Sequence, residues 1–145
     1  MEKLLELLNR QVANFGVLYT KLHNYHWFVS GEKFFELHKK FEELYEEASE
    51  YLDVVAERVL QLEGKPVASL KGFLENATIK EACCCELNGR EMVQFVVDDF
   101  KQIIGEIAET IKVAQELNDE VTVDMLIDIS TDLQKQVWML KTYLK

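Results

Sequence analysis

The sequence has almost none of the residues that interrupt helices. Its 145 residues include one proline and six glycines. Proline breaks a helix interior and glycine weakens it, so this scarcity argues against a loop-rich fold and predicts a few long elements. No stretch rich in proline, glycine or serine divides the chain. We therefore predict one domain over residues 1–145, a length that suits a single core.

Positive charge is also scarce. Lysine and arginine number 16 against 26 aspartates and glutamates, which gives a formal net charge of -10. Tight electrostatic binding to DNA needs cationic side chains that displace condensed counterions. The charge balance therefore argues against a DNA partner and suits cations.

Long apolar runs are missing as well. No run of apolar residues is long enough to span a membrane. The first residues, Met1–Glu6, place charges inside their apolar run, which is not typical of a signal peptide. We expect a cytoplasmic protein that makes no membrane contact.

The only cysteines are consecutive: Cys83, Cys84 and Cys85. An odd number of adjacent cysteines argues against a disulfide framework, and the spacing is not that of a zinc site. We expect three reduced thiols, as in a cytosolic protein, and the sequence assigns them no function.

Four segments carry apolar residues at intervals of three or four, which predicts one apolar stripe on each of four helices. The stripes run from Leu4 to Tyr25, from Phe34 to Val59, from Val93 to Ala114 and from Leu126 to Leu144. Nothing in the sequence indicates a β-sheet.

The breaks between these segments define the connections. Ser30-Gly31 and Asn118-Asp119 are short links, whereas a long connection follows Gly64-Lys65-Pro66 and contains a short apolar piece from Leu70 to Leu74. Short links join antiparallel neighbours. Four helices with one long crossover form the ferritin-like arrangement. We predict an all-α, ferritin-like four-helix bundle with a short helix in the crossover between helices 2 and 3.

Candidate metal ligands lie on the first two helices. His26 ends the first helix, His38 begins the second, and Asp53 and Glu57 follow on one face of the second. Imidazole with carboxylate suits iron and zinc. Each residue also has an ordinary interpretation: packing for the histidines, a solvated face for the acids. Glu42, one turn beyond His38, either joins the site or faces water.

Distance restricts how these ligands can combine. Asp53 follows His38 by 15 residues, or about 22 Å of helix at about 1.5 Å per residue. Metal–ligand bonds of about 2 Å cannot bridge that gap. Either the chain has two unrelated sites, or the histidines of one chain meet the acids of another. The Glu-x-x-His motif of intrachain di-iron bundles is absent.

Three segments together resemble the Dps family, the miniferritins or DNA-binding proteins from starved cells. They are LHNYHW at 22–27, FFELHKKFEELY at 34–45 and DVVAER at 53–58. The resemblance extends over essentially the whole chain, to Trp138-Met139-Leu140 near its end.

The resemblance implies a hollow dodecamer with ferroxidase centres at its two-fold interfaces. It implies that His26 and His38 of one subunit and Asp53 and Glu57 of its neighbour are the catalytic metal ligands, with Glu42 as an auxiliary carboxylate. Each centre would oxidise two Fe²⁺ ions with hydrogen peroxide in preference to oxygen. Storing the ferric mineral would protect against oxidative damage. Zinc is a conceivable competitor for the ligands.

The resemblance also suggests roles for other residues. Trp27, beside His26, would either intercept radicals or pack at the interface. Acidic residues at the start of the fourth helix either favour its dipole or line a pore that draws Fe²⁺ inward; the pore candidates are Asp119, Asp124 and Asp128. The candidates for mineral nucleation, some of them plain surface, are Glu43, Glu46, Glu47 and Glu50.

Two other function classes compete with the iron-storing enzyme. One is a DNA-compacting shell, and the other is a structural bundle whose histidines and acids are incidental. DNA-binding members of the family often carry a Lys/Arg-rich tail. Here the helical stripes reach Leu4 and Leu144, so we expect no basic tail.

We predict no appreciable DNA binding at physiological salt, because the acidic chain offers few cations to displace counterions. A plasmid gel shift at low magnesium checks this expectation. Tight, salt-sensitive retention of the plasmid would contradict it.

Overall fold

The computed structural model describes all 145 residues, Met1–Lys145, as five helices without a strand. The helices are α1 (Glu2–Phe28), α2 (Phe34–Gln61), α3 (Leu70–Asn76), α4 (Gly89–Glu116) and α5 (Glu120–Leu144). The four long helices are those predicted from the stripes, and α3 is the short helix predicted in the crossover. The predicted all-α bundle is confirmed.

The four apolar stripes meet in one core. Its buried apolar side chains form a single cluster that draws on α1, α2, α4 and α5. Tyr25, Phe15 and Phe41 are the largest fully buried side chains. Burying one large apolar side chain contributes about 1.5–3 kcal/mol. None of the helices is both long and apolar enough to cross a membrane.

Tight links make neighbours of α1 and α2, and of α4 and α5. Gly31 turns the first link at φ 100°, and Asn118 turns the second at φ 57°. Both values lie in the left-handed region, which glycine and asparagine adopt most readily. The antiparallel link between α1 and α2 brings the end of α1 beside the start of α2, and this juxtaposition positions the candidate site.

Buried side chains of α1 and α4 hold the long crossover. The Asn14 side chain is fully buried, and its Oδ1 accepts from the backbone N–H groups of Thr78 (2.8 Å) and Ile79 (3.1 Å). Its Nδ2 donates to Glu106 of α4 at 2.9 Å. Buried polar groups need such partners, so Asn14 fixes the crossover by completing its backbone hydrogen bonds.

The expectation of three reduced thiols is wrong. Cys83 and Cys85 form a disulfide with a Cα–Cα distance of 5.2 Å, and Cys84 is free and exposed. Alternate side chains of an extended segment share a side, and a bend at Cys84–Cys85 brings the two α-carbons into the usual bridging range. Adjacency excludes a bridge between direct neighbours but not between residues two apart.

We predict that Asn14→Ala lowers the free energy of unfolding by about 3 kcal/mol, because it removes the hydrogen bonds of a fully buried side chain and leaves the N–H of the buried Ile79 without an acceptor. Asn9 is a matched control, because it bonds the same crossover at Lys65 O (3.0 Å) and Val67 N (2.9 Å) but is only partly buried. Asn9→Ala should cost about 1 kcal/mol, since water replaces its bonds. Urea unfolding at equal protein concentration measures both, and equal losses would contradict the assignment.

Candidate metal centre

His26 and His38 form a reciprocal pair where α1 and α2 meet. Their rings stack with centroids 3.7 Å apart and an angle of 13° between planes. The His26 Nδ1 lies 2.6 Å from the carbonyl oxygen of His38, and the His38 Nδ1 lies 2.7 Å from the carbonyl oxygen of His26. Each ring is therefore fixed by the backbone of the other residue.

This pairing prepares both rings to bind a metal ion. A carbonyl oxygen only accepts hydrogen bonds, so each Nδ1 must carry the proton. In a neutral imidazole the lone pair then lies on Nε2. Metal-binding histidines typically donate their second nitrogen to a carbonyl or carboxylate in this way. One chain thus presents two oriented Nε2 donors.

Aromatic rings surround this pair. His23 stacks on Tyr45 with centroids 3.7 Å apart, and Tyr45 meets the His26 ring edge-on at 5.4 Å. The ring of Trp27 lies 5.2 Å from that of His23 and is 66% exposed. The Tyr45 hydroxyl donates to Glu42 at 3.4 Å, so Glu42 contacts a ring that flanks His26.

The two acidic candidates, Asp53 and Glu57, lie apart from the histidine pair. Both are exposed, and neither takes part in an ion pair. The neighbouring cation, Arg58, turns away from them and contacts Asp119 at 2.8 Å. Because α2 runs without interruption from Phe34 to Gln61, His38 and Asp53 stay about 22 Å apart along it. Within one chain no three His, Cys, Asp or Glu side chains are grouped to hold a metal ion.

Of the pore candidates, Asp119 has contacts that fit the first of its two expected roles, support of the start of α5. It caps α5 by accepting from the backbone N–H of Thr122, and it pairs with Arg58. Burial alone would raise its pKa, but the bonds from Thr122 and the charge of Arg58 outweigh burial and lower that pKa. Asp119 therefore has a structural role at the start of α5, whereas Asp124 and Asp128 are exposed.

The nucleation candidates also differ among themselves. Glu47 is partly buried and accepts from Gln136 of α5 at 3.1 Å, and burial raises the pKa of its carboxyl. Glu43 lies 3.8 Å from the ammonium of Lys40. Glu46 and Glu50 are exposed.

Comparison with known proteins identifies the fold. Residues 5–145 match the family model of the ferritin-like domain. The chain is 55% identical over 139 residues to the DNA protection during starvation protein of Brevibacillus brevis, covering 96% of this chain and 93% of that protein. The crystal structure of Dps from Staphylococcus aureus matches with a TM-score of 0.97 at 44% identity, over 100% of this chain and 97% of the other.

A Dps protein from Vibrio cholerae O1, described as a member of a broad superfamily of ferritin-like diiron-carboxylate proteins, matches with a TM-score of 0.95. It is 38% identical, over 99% of this chain and 90% of the other. The class of the protein is therefore a ferritin-like bundle. At this identity and coverage, the chain belongs to the Dps family.

The sequence did not reveal the surroundings of the histidine pair. The stacking of His23 on Tyr45 joins α1 to α2. The bonds between the His26 and His38 rings and each other's carbonyl groups involve backbone atoms, which every residue type has, so the sequence gives no sign of them. One signal was present: His23 and His26 are three apart, and Glu42 and Tyr45 are three apart, so each pair shares a helix face.

We predict that the neutral imidazoles of His26 and His38 carry their proton on Nδ1, because both Nδ1 atoms face carbonyl oxygens. Nitrogen-15 NMR of histidine-labelled protein distinguishes the tautomers. His26→Phe keeps a ring but removes its hydrogen bond, and should leave one tautomeric signal of the pair. Protonation of Nε2 in either ring of the wild type would contradict the assignment.

Proposed function

We propose that this protein is an iron-storing ferroxidase whose centres form between two copies of the chain. Two Fe²⁺ ions, the substrate, bind to His26 and His38 of one copy and to Asp53 and Glu57 of the other. Glu42 is an auxiliary carboxylate, and Glu57 is the candidate for bridging the two irons.

The observation that carries the proposal is the separation of the two half-sites on one rigid helix. The histidine half is prepared for a metal by its two carbonyl contacts, and the acidic half is exposed and free of ion pairs. About 22 Å of helix keeps them apart within a chain. An isologous two-fold interface brings each half of one copy to the other half of its partner, and so forms two identical centres.

The surface around the histidines supports such an interface. Phe35 is 81% exposed, Phe28 69% and Trp27 66%, and all three lie near the α1–α2 link. Clustered exposed aromatics of this size mark interaction surfaces. The placement also bears on Trp27: packing at the interface and interception of radicals are compatible, because an interface ring would lie beside the centre.

The ligands suit the reaction. Two Fe²⁺ with hydrogen peroxide and two protons give two Fe³⁺ and two waters, so a paired centre supplies both electrons at once and no hydroxyl radical need form. Carboxylates are hard ligands that favour Fe³⁺ over Fe²⁺. The carbonyl groups hold the Nδ1 protons of both imidazoles, which leaves the Nε2 atoms as the metal donors. Zinc fits the same donors but has no redox chemistry, so it would inhibit turnover.

Storage requires a shell, and the Dps family membership supports a dodecamer. In such a shell, Asp124 and Asp128 are the pore candidates that would attract Fe²⁺ by their charge. Glu46 and Glu50, exposed on α2, are the strongest candidates for binding mineral. Removing Fe²⁺ and peroxide together would protect the cell against oxidative damage, in line with the name of the Brevibacillus brevis relative, DNA protection during starvation protein.

The proposal makes an asymmetric prediction for mixed shells. His38→Ala and Asp53→Ala should each slow Fe²⁺ oxidation by peroxide at least about tenfold, since each removes a ligand from every centre. When the two variants are unfolded together and reassembled in equal amounts, about a quarter of the centres should recover. Half of the two-fold pairs are then mixed, and each mixed pair has one intact centre.

Absorbance of the ferric product after anaerobic mixing with Fe²⁺ and peroxide, and separately with oxygen, measures the recovery and the preferred oxidant. The control is Glu109→Ala, a substitution of an exposed acid on α4, which should oxidise iron like the wild type. Mixed shells as inactive as the single variants would place the centre within one chain. Full activity of His38→Ala would remove this residue from the centre, and a wild type that does not oxidise Fe²⁺ would leave the structural-bundle alternative.

A further inference from the structure

We propose that Cys83 and Cys85, once reduced, form a binding site for a soft monovalent cation, Cu(I). The site lies in the crossover between α3 and α4 and shares no residue with the iron centre. It therefore goes beyond the proposed function and does not depend on it.

The backbone already places the two sulfur atoms together. Cys83 and Cys85 lie on the same side of the segment, with their α-carbons 5.2 Å apart and their sulfurs bonded. Two sulfur ligands of one ion, each at about 2.3 Å, stand at most about 4.6 Å apart. Rotation of the two side chains supplies this small separation without moving the backbone. Cys84 does not take part in the pair.

Both sides of the cysteine segment are anchored. Before it, the buried Lys21 ammonium bonds the carbonyl of Lys80 at 2.9 Å and pairs with Asp99 at 2.7 Å. After it, Asn88 and Glu91 form a reciprocal capping box at the start of α4. Because only two residues separate each anchored position, Lys80 or Asn88, from the nearer of the two bridged cysteines, reduction should leave the two thiols near each other.

The donor set favours a soft ion. The cysteines border a cavity of about 740 Å³ that Met92 and Phe28 also line. Thiolate and thioether sulfur select Cu(I) over hard cations. A structural zinc ion takes four ligands, whereas two thiolates can satisfy Cu(I). The carboxylates of the exposed Glu81 and Glu86 add negative charge beside a cation.

The disulfide makes this site dependent on redox state. A dithiol reductant opens the bridge by transferring two electrons and two protons, which yields two thiols. Binding of Cu⁺ then displaces the two thiol protons, since the thiolate is the ligand. Hydrogen peroxide closes the bridge again: the two bound thiolates, one peroxide and two protons give the disulfide, two waters and free Cu⁺. Peroxide, the proposed oxidant of the iron centre, would thus also release the bound copper.

The test is an anaerobic Cu(I) titration in competition with bicinchoninate, using full-length protein reduced with dithiothreitol and then desalted. Reduced wild type should hold about one Cu(I) per chain. Cys83→Ser and Cys85→Ser should each weaken binding at least about tenfold, because each removes one of two ligands. Cys84→Ser is the matched control and should bind like the wild type.

Peroxide-oxidised wild type should bind no copper at this site. Equal losses from Cys84→Ser and Cys83→Ser would overturn the pairing of ligands, and so would equal binding by oxidised and reduced protein. His38→Ala should keep its full copper stoichiometry; loss there would assign the copper to the iron ligands instead. Iron oxidation by Cys83→Ser at the wild-type rate separates this inference from the proposed ferroxidase activity.

Discussion

The rigidity of α2 is the constraint on which the rest of the molecule depends. A metal ligand must lie about 2 Å from its ion, and a continuous helix cannot fold back to bring His38 and Asp53 together. The helix is continuous because its interior has no proline or glycine. A sequence that avoids helix breakers therefore keeps the two groups of candidate ligands apart, and under the proposed function assembly becomes a condition for chemistry.

The contacts that orient the candidate ligands also come from groups that belong to the fold itself. The carbonyl of His26 lies in the last turn of α1, where the helix itself offers no N–H partner, and the His38 ring faces it at 2.7 Å. At His26, satisfying the carbonyl and fixing the tautomer of the facing imidazole are thus one interaction. The stacked His23 and Tyr45 rings then pack against His26 from the side. Orientation of the proposed ligands comes from elements that the fold already requires.

Sequence reasoning predicted the helices well, because apolar spacing of three and four residues directly reports burial on one helix face. It also identified His26, His38, Asp53 and Glu57 as two separated groups, and their membership of one centre stays a prediction. It did not predict the partner of Arg58, since Asp119 lies 61 positions away and a local pairing with the acids of α2 was equally consistent with the sequence. The sequence did not predict the Cys83–Cys85 bridge, because the bridge depends on a backbone bend that no residue type indicates.

The crossover and the bundle are held in place by different interactions. Apolar burial holds the four long helices, whereas Asn14 and Lys21 hold the crossover through its backbone N–H and carbonyl groups. Such bonds fix the chain without demanding particular side chains in the segment they hold. The cysteines therefore lie in a segment whose backbone is held in place but whose side chains the bundle does not require. In such a segment a second binding site can arise without disturbing the proposed iron centre. If both sites act as proposed, peroxide links them, because it is the oxidant at one and the agent of metal release at the other.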